Sequence, residues 1–232
     1  AEANPDAVLR AAFPHHDGQV WNNDGMDLIF RPDLDSTDYT QFIADTLNQR
    51  FDALSGDFAG FNPPWRSAAR VDRNGWSIEA AIPLSAVTAQ KVQSGTIWQA
   101  DFFRQAERGR TIAAWVATRG GNIAINSYGY LVFESLREGL LQQAQFMDKA
   151  GELQSAELTK LSARMAELRR SIAAMPEPEL ASRFSAILAE LRDARQALDK
   201  MLFAARFAAS ASPLVVQIAD PYDGRAPGKG DS

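Results

Sequence analysis

The stretch VWNNDGMDLIFRPDLDSTDYTQFIADTLNQRF, residues 20–51, decides how this chain is read. It packs a Trp, a cluster of carboxylates and two candidate strands into one short span. Met26, Leu28, Ile29 and Phe30 give residues 20–31 the apolar mass of a strand buried on at least one face, although the alternation is imperfect. The following RPDLDSTD is a loop by composition, because Pro, Ser and three Asp favour local side-chain to backbone hydrogen bonds over a ladder. Residues 39–47 read as a second strand, with Tyr39, Gln41, Ile43 and Asp45 pointing one way and Thr40, Phe42 and Ala44 the other. Together they predict a hairpin that forms one wall of a ligand site. The second wall is expected from the segment around Trp115.

Downstream, residues 54–64 are a loop rich in Gly, Phe, Asn and Pro. Residues 65–72 and 75–82 then flank Asn74-Gly75, the strongest short-range hairpin signal a sequence offers. In the second arm Trp76, Ile78 and Ala80 share one side, Ser77, Glu79 and Ala81 the other, and Pro83 ends it. A loop with a single helical turn leads to three more strand-like runs, residues 96–105, 112–118 and 128–134. These strand-like segments, separated by turn signals without long helices between them, predict an antiparallel sandwich rather than a parallel α/β sheet. Upstream, residues 4–13 suit a short helix with Asn4 as N-cap and Pro5 in its first position.

Beyond Ser135 the composition shifts to Leu, Ala, Glu, Gln and Arg, and no Pro occurs until Pro176. Leu158, Leu161, Met165, Leu168, Ile172 and Met175 keep a three-and-four spacing. So do Leu180, Phe184, Ile187, Leu191, Ala194, Leu198 and Met201. MPEP breaks the two runs. An antiparallel, coiled-coil-like helical hairpin is predicted, with helices at residues 136–175 and 179–209, the first roughly 60 Å long at 1.5 Å per residue. Its early part has a weak seam, because Gly151 and Gln154 fall where apolar residues belong. The hairpin reads as a spacer or an intramolecular packing element; the alternative is a surface for self-association or a protein partner, because Phe203 and Phe207 flank the second seam uncovered. Residues 214–218 form one more strand-like run before a tail of disordered character. The expected fold class is therefore α+β and multidomain: a β-sandwich over 1–135, a helical hairpin over 136–212, and an extra strand and tail over 213–232.

Composition narrows the function. The 232 residues are 46% hydrophobic, enough for a sizeable core, and the net charge of -5 with a pI near 5.1 disfavours a general phosphate-neutralising nucleic-acid binder. Cysteine is absent, which removes disulfides, zinc thiolates and cysteine nucleophiles. The two histidines, His15 and His16, are adjacent and poorly suited to a Ser-His-Asp triad. No apolar run is long enough to span a bilayer. The abrupt ends suggest a segment of a longer polypeptide.

Taken in order, WNNDGMDLIFRPDLDSTDYTQF, RFD, NGWSIEAAIP, WQADFFRQ, AW and YGYLVF resemble the family 9 carbohydrate-binding modules, over about residues 13–134. The resemblance implies a DOMON-like sandwich, no catalysis, and an accessory role beside an extracytoplasmic polysaccharide-acting or surface protein. It also implies that a sugar is held between two Trp rings. Trp21 matches the first ring, Asp27 the acidic residue of the following strand, Trp115 the second ring, and Arg104 is a polar contact. Two departures stand out: Asn23-Asp24 replaces an acidic pair, and the shorter Asp27 replaces a Glu. Family modules also begin with further strands upstream, so part of the sandwich is missing or supplied by residues 214–218.

Physical chemistry agrees in kind, since an aromatic face accepts the C–H groups of a pyranose while polar neighbours orient its hydroxyls. Trp65, Trp76 and Trp98 read as core residues instead. The family also binds structural calcium, and Asp33, Asp35 and Asp38 offer oxygens for it, without the Gly and terminal Glu of an EF-hand. An ordinary Asx-bonded turn is the alternative. His15, His16 and Asp17 form a weaker metal candidate. The alternative function is a sandwich that has lost sugar binding and serves assembly through the helical hairpin.

Overall fold

The computed structural model describes residues 15–73, 75–106, 111–117, 123–151 and 155–209. The helix expected at 4–13 and the strand expected at 214–218 lie outside them.

The opening stretch folds as a hairpin. β1 (Gly25–Arg31) lies antiparallel to β2 (Thr40–Asp45), with Met26 opposite Ala44 and Leu28 opposite Phe42. β3 (Arg50–Leu54) adds to the far side of β2, a strand that the sequence reading lacks. Five residues beside a Gly- and Pro-rich loop give too few alternations to announce a strand, and pairing with β2 is what creates it. The second hairpin, β4 (Arg66–Asp72) and β5 (Gly75–Ala81), makes a sheet of its own with Val71 opposite Trp76. Gly75 has φ 138°, a backbone state that glycine alone enters freely.

A single turn of helix, α1 (Leu84–Val87), leads to β6 (Ile97–Ala106), which pairs with the open side of β1. β7 (Thr111–Ala114) and β8 (Gly129–Val132) pair with successive halves of the outer edge of β6. The large sheet is therefore ordered β3-β2-β1-β6-β7, with β8 also on β6.

Because side chains alternate along a strand and directly paired residues share a face, the register sorts this sheet into two faces. Leu28, Phe30, Phe42, Ala44 and Trp98 form the first, which meets Trp65, Ile78 and α1 in an aromatic core. Its rings pack edge to face, Phe42 on Trp65 at 5.4 Å and Phe30 on Trp98 at 6.1 Å. Ile29, Ile43, Phe51 and Phe103 lie on the second face, together with Asp27, Gln41, Gln99 and Asp101.

The helical region departs from expectation at its start. One helix over 136–175 is replaced by α2 (Leu136–Gln143), a 3-10 segment (Ala144–Ala150) and α3 (Ala156–Ala174). The weak seam explains the break: Gly151 takes φ 55°, and Ser155 starts α3 by accepting a hydrogen bond from Leu158 N at 3.0 Å. α4 (Glu177–Ala209) begins two residues earlier than expected, since Pro178 falls in the first turn, where no N–H is required. Arg137 on α2 holds the corner between α3 and α4. It donates to the Ile172 carbonyl, to Ala173 O at 3.0 Å and Met175 O at 2.7 Å, and to the Glu177 carboxylate at 2.9 Å. These are carbonyls that a helix end otherwise leaves unpaired.

Leu158, Leu161, Met165 and Ile172 of α3 are buried with Leu180, Phe184, Ile187, Leu191 and Leu198 of α4, as the spacing predicts. The same core takes in Ile97, Tyr130, Val132 and Leu34, so the helices close one end of the second face of the sheet. Tyr130 meets Phe184 edge to face at 5.6 Å.

Candidate ligand-binding surface

Trp115 is 51% exposed and follows β7. Its N–H donates to Phe102 O at 2.9 Å, and its ring stacks on Phe102 at 5.3 Å with 25° between planes. One side of the indole is thereby fixed. Gly129 on β8 makes room for it, because a Cβ there would come within 2.9 Å of the Trp115 ring.

Arg104 lies on the same face. It is two residues beyond Phe102 on β6 and directly opposite Ala113, two residues before Trp115. Its guanidinium sits 5.3 Å from the centre of the Trp76 ring, a cation–π contact that aims the side chain across the sheet toward the tip of the β4–β5 hairpin. Trp76, expected in the core, is half-buried, at the hairpin tip beside the turn. Its place at the end of the arm, next to the Asn-Gly turn, was the available signal for exposure. Trp76, Arg104, Phe102 and Trp115 thus form one aromatic and cationic strip. Trp65 and Trp98 are core residues, as their positions predict, and the Trp65 indole N–H donates to Asp52 at 2.8 Å.

Trp21 is 39% exposed in the 3-10 turn (Val20–Asn22) before β1. Its ring meets Phe51 edge on at 5.1 Å. Phe51 pairs with Ile43, Ile43 with Asp27, and Asp27 with Phe103, so these four share the second face, whereas Phe102 is on the first. β3 and β7 are also opposite edges of the sheet. Trp21 and Trp115 therefore do not oppose each other across one cleft, and the expected sandwich of a sugar between them is not formed.

Asp27 is fully buried, and both its oxygens accept from Gln41 Nε2, at 3.0 and 2.9 Å. A ligand does not reach it. Asp101, also buried, accepts from the backbone N–H of Phe102 at 2.8 Å and of Val116 at 3.0 Å, which fixes the backbone on either side of Trp115. Burial, with Asp27 and Asp101 nearby, pushes the Tyr128 phenol well above its usual range, and burial beside Asp27 raises Tyr39. Both phenols therefore stay neutral. Asn23 and Asp45 are buried as well, joined at 2.6 Å, and Asp45 caps the turn after β2 through the N–H groups of Leu47 and Gln49. The carboxylates of the opening stretch are largely architecture.

The Asp-rich turn does not gather its oxygens around one point. Asp33 accepts from Asp35 N at 2.9 Å, Asp35 pairs with Arg195 at 2.6 Å, and Asp38 accepts from Ser55 Oγ at 3.2 Å. Among the described residues no group of three or more His, Asp or Glu side chains is placed to hold a metal ion. The geometry is that of the Asx-bonded turn weighed against calcium. His16 is engaged elsewhere, its Nδ1 accepting from Arg50 N at 3.0 Å.

No protein-family model matches the chain, and no curated protein matches it. Among solved structures it is similar to a protein of Bacteroides uniformis provisionally described as carbohydrate-binding, at 17% identity and a TM-score of 0.44, over 56% of this chain and 69% of that one. It is also similar to a family 9 carbohydrate-binding module of Caldicellulosiruptor kristjanssonii in complex with glucose, at 16% identity and a TM-score of 0.42, over 56% and 66%. The chain thus spans about two thirds of each. Function has to rest on this chain's own residues.

Proposed function

We propose that the sandwich binds carbohydrate without catalysis, as an accessory unit of a larger extracytoplasmic polysaccharide-acting or surface protein, and that Trp115 is its stacking platform. The observation that carries this reading is the exposed indole, backed by Phe102 and held in line with Arg104 over Trp76. A flat, rigid apolar face beside a fan of guanidinium donors suits a pyranose ring with its equatorial hydroxyls. Pre-ordering by Phe102 reduces the rotamer entropy lost on binding. Trp21 and Asp27, matched to the site by resemblance, have scaffold roles in this reading.

Isothermal titration against a panel of neutral mono- and oligosaccharides tests it. Binding is expected to weaken at least tenfold in Trp115→Ala, about 1.4 kcal/mol, and to be unchanged in Trp21→Ala. Absence of heat above dilution for every sugar, with the protein shown folded, rejects the reading. A contact surface on the helices is a second reading, favoured by Phe203, which is 72% exposed on α4. Light scattering over a concentration series on wild type and Phe203→Ala separates the two.

A further inference from the structure

A polar cleft of about 410 Å³ opens where the sandwich meets the helices, at the end of β6 opposite the one that carries Phe102 and Arg104. The loop after β1, the loop before β6, the first residues of β6, the α2 region and one residue of α4 line it. Its size falls in the range of small-ligand sites.

Tight joints hold its walls. The carbonyl of Ser94 accepts from Gln142 Nε2 at 2.9 Å, and Ser94 Oγ bonds the Glu138 carboxylate. Gly95 and Gly139 press backbone to backbone: a Cβ on Gly95 would meet Gly139 N at 2.8 Å, and one on Gly139 would meet Gly95 O at 2.8 Å. On the other wall Arg195 of α4 reaches Asp35 at 2.6 Å. These contacts fix the gap from both sides, so the cleft is preformed.

The lining has a definite chemistry. Ile97, Trp98 and Phe146 supply a buried apolar floor. The side-chain amides of Gln93 and Gln145 line it as well, donors and acceptors that match hydroxyl groups. Arg195 neutralises Asp35, and the remaining charged lining residues are Lys91, Lys149 and the single carboxylate of Asp33. The cleft is therefore locally cationic in a chain whose net charge is -5.

We propose that this cleft is a second ligand site, for a small polyhydroxylated carboxylate of the sugar-acid class. The amides receive the hydroxyls, and Lys91 and Lys149 receive the carboxylate. The proposal does not depend on neutral glycan binding at Trp115.

Chemical-shift titration of the full chain with glucuronate and galacturonate, beside glucose, tests it. Shifts are expected at Gln142, Gln145 and Trp98 with the uronates, and at least tenfold weaker there with glucose. Lys91→Ala combined with Lys149→Ala should weaken uronate binding at least tenfold, and Gln145→Glu, which adds a like charge at an exposed position, at least fivefold. Trp115→Ala should leave it unchanged. The proposal is overturned if the uronates shift no cleft residue in the folded protein, if the lysine variant binds as wild type, or if Trp115→Ala abolishes the effect.

Discussion

The two faces of the large sheet are built from the same strands by opposite means. On the first, Phe30, Phe42, Trp65 and Trp98 interlock as rings. On the second, Asp27, Gln41, Gln99 and Asp101 are buried beside Ile29 and Phe103 and held by hydrogen bonds. Arg31, on this second face, donates to Gln99 at 2.7 Å and to the carbonyl of Leu34 at 2.8 Å. The difference teaches that an acidic residue on a strand beside a Trp is no sign of a ligand site until its face is known. Here the ligand candidates Trp115 and Arg104 extend from the ring-bearing face, and the carboxylates stiffen the other.

Substitutions that erase one face without touching the other would break or sharpen this contrast. Phe42→Ala removes a fully buried ring from the first and should cost about 4 kcal/mol in urea denaturation, the range for a buried aromatic. A cost under about 1 kcal/mol would mean that this face is not the main apolar core. On the second face Asp27→Leu should cost about 2 kcal/mol by stranding the Gln41 amide. Adding Gln41→Leu should recover most of that loss, since removing both partners is far cheaper than removing one. Failure to recover would show Asp27 serving other groups more than Gln41.

Gly129→Ala is aimed at the exposed edge. The new methyl meets the Val116 side chain at 2.8 Å and the Trp115 ring at 2.9 Å, so both are expected to shift and the indole to tilt away from Phe102. Neutral glycan affinity should drop about threefold to tenfold, with a stability change within about 0.5 kcal/mol, and Trp115 fluorescence reports the tilt.

The smallest effect concerns Asp52, the one carboxylate opposite Phe42 on the ring-bearing face. Burial raises its pKa, against the hydrogen bond from Trp65. A carboxyl raised on folding binds its proton more tightly in the native state. Its contribution is thus most favourable at low pH and is lost as pH rises from about 4, the unfolded value, through the higher folded one. Asp52→Asn keeps the acceptor for Trp65 and should flatten that part of the profile of thermal midpoint against pH. An unchanged slope would place the titration elsewhere.

Much of the architecture is legible in the chain. Alternation in Tyr39, Gln41, Ile43 and Asp45 against Thr40, Phe42 and Ala44 sorts β2 correctly even though all of its residues are buried. The Asn-Gly signal in the sequence announces the hairpin in which Val71 pairs with Trp76, and the spacing of Leu158 to Leu198 gives the helix pairing. The candidate site is less legible. Whether Trp21 and Trp115 share a face depends on the chained register of four strands, and no local pattern encodes that sum. Burial of Asp27 likewise depends on Gln41 arriving from the neighbouring strand.

Ile97, Tyr130 and Val132 of the sandwich share one core with Leu140, Phe184 and Leu188 of the helices. This couples the solubility of the strands to that of the helices. A recombination event that carried off the strands alone would expose an apolar seam along β6 and β8, and one that carried off the helices alone would expose its mirror. Strands and helices each keep the other's apolar surface out of water, so neither part is expected to stay soluble alone.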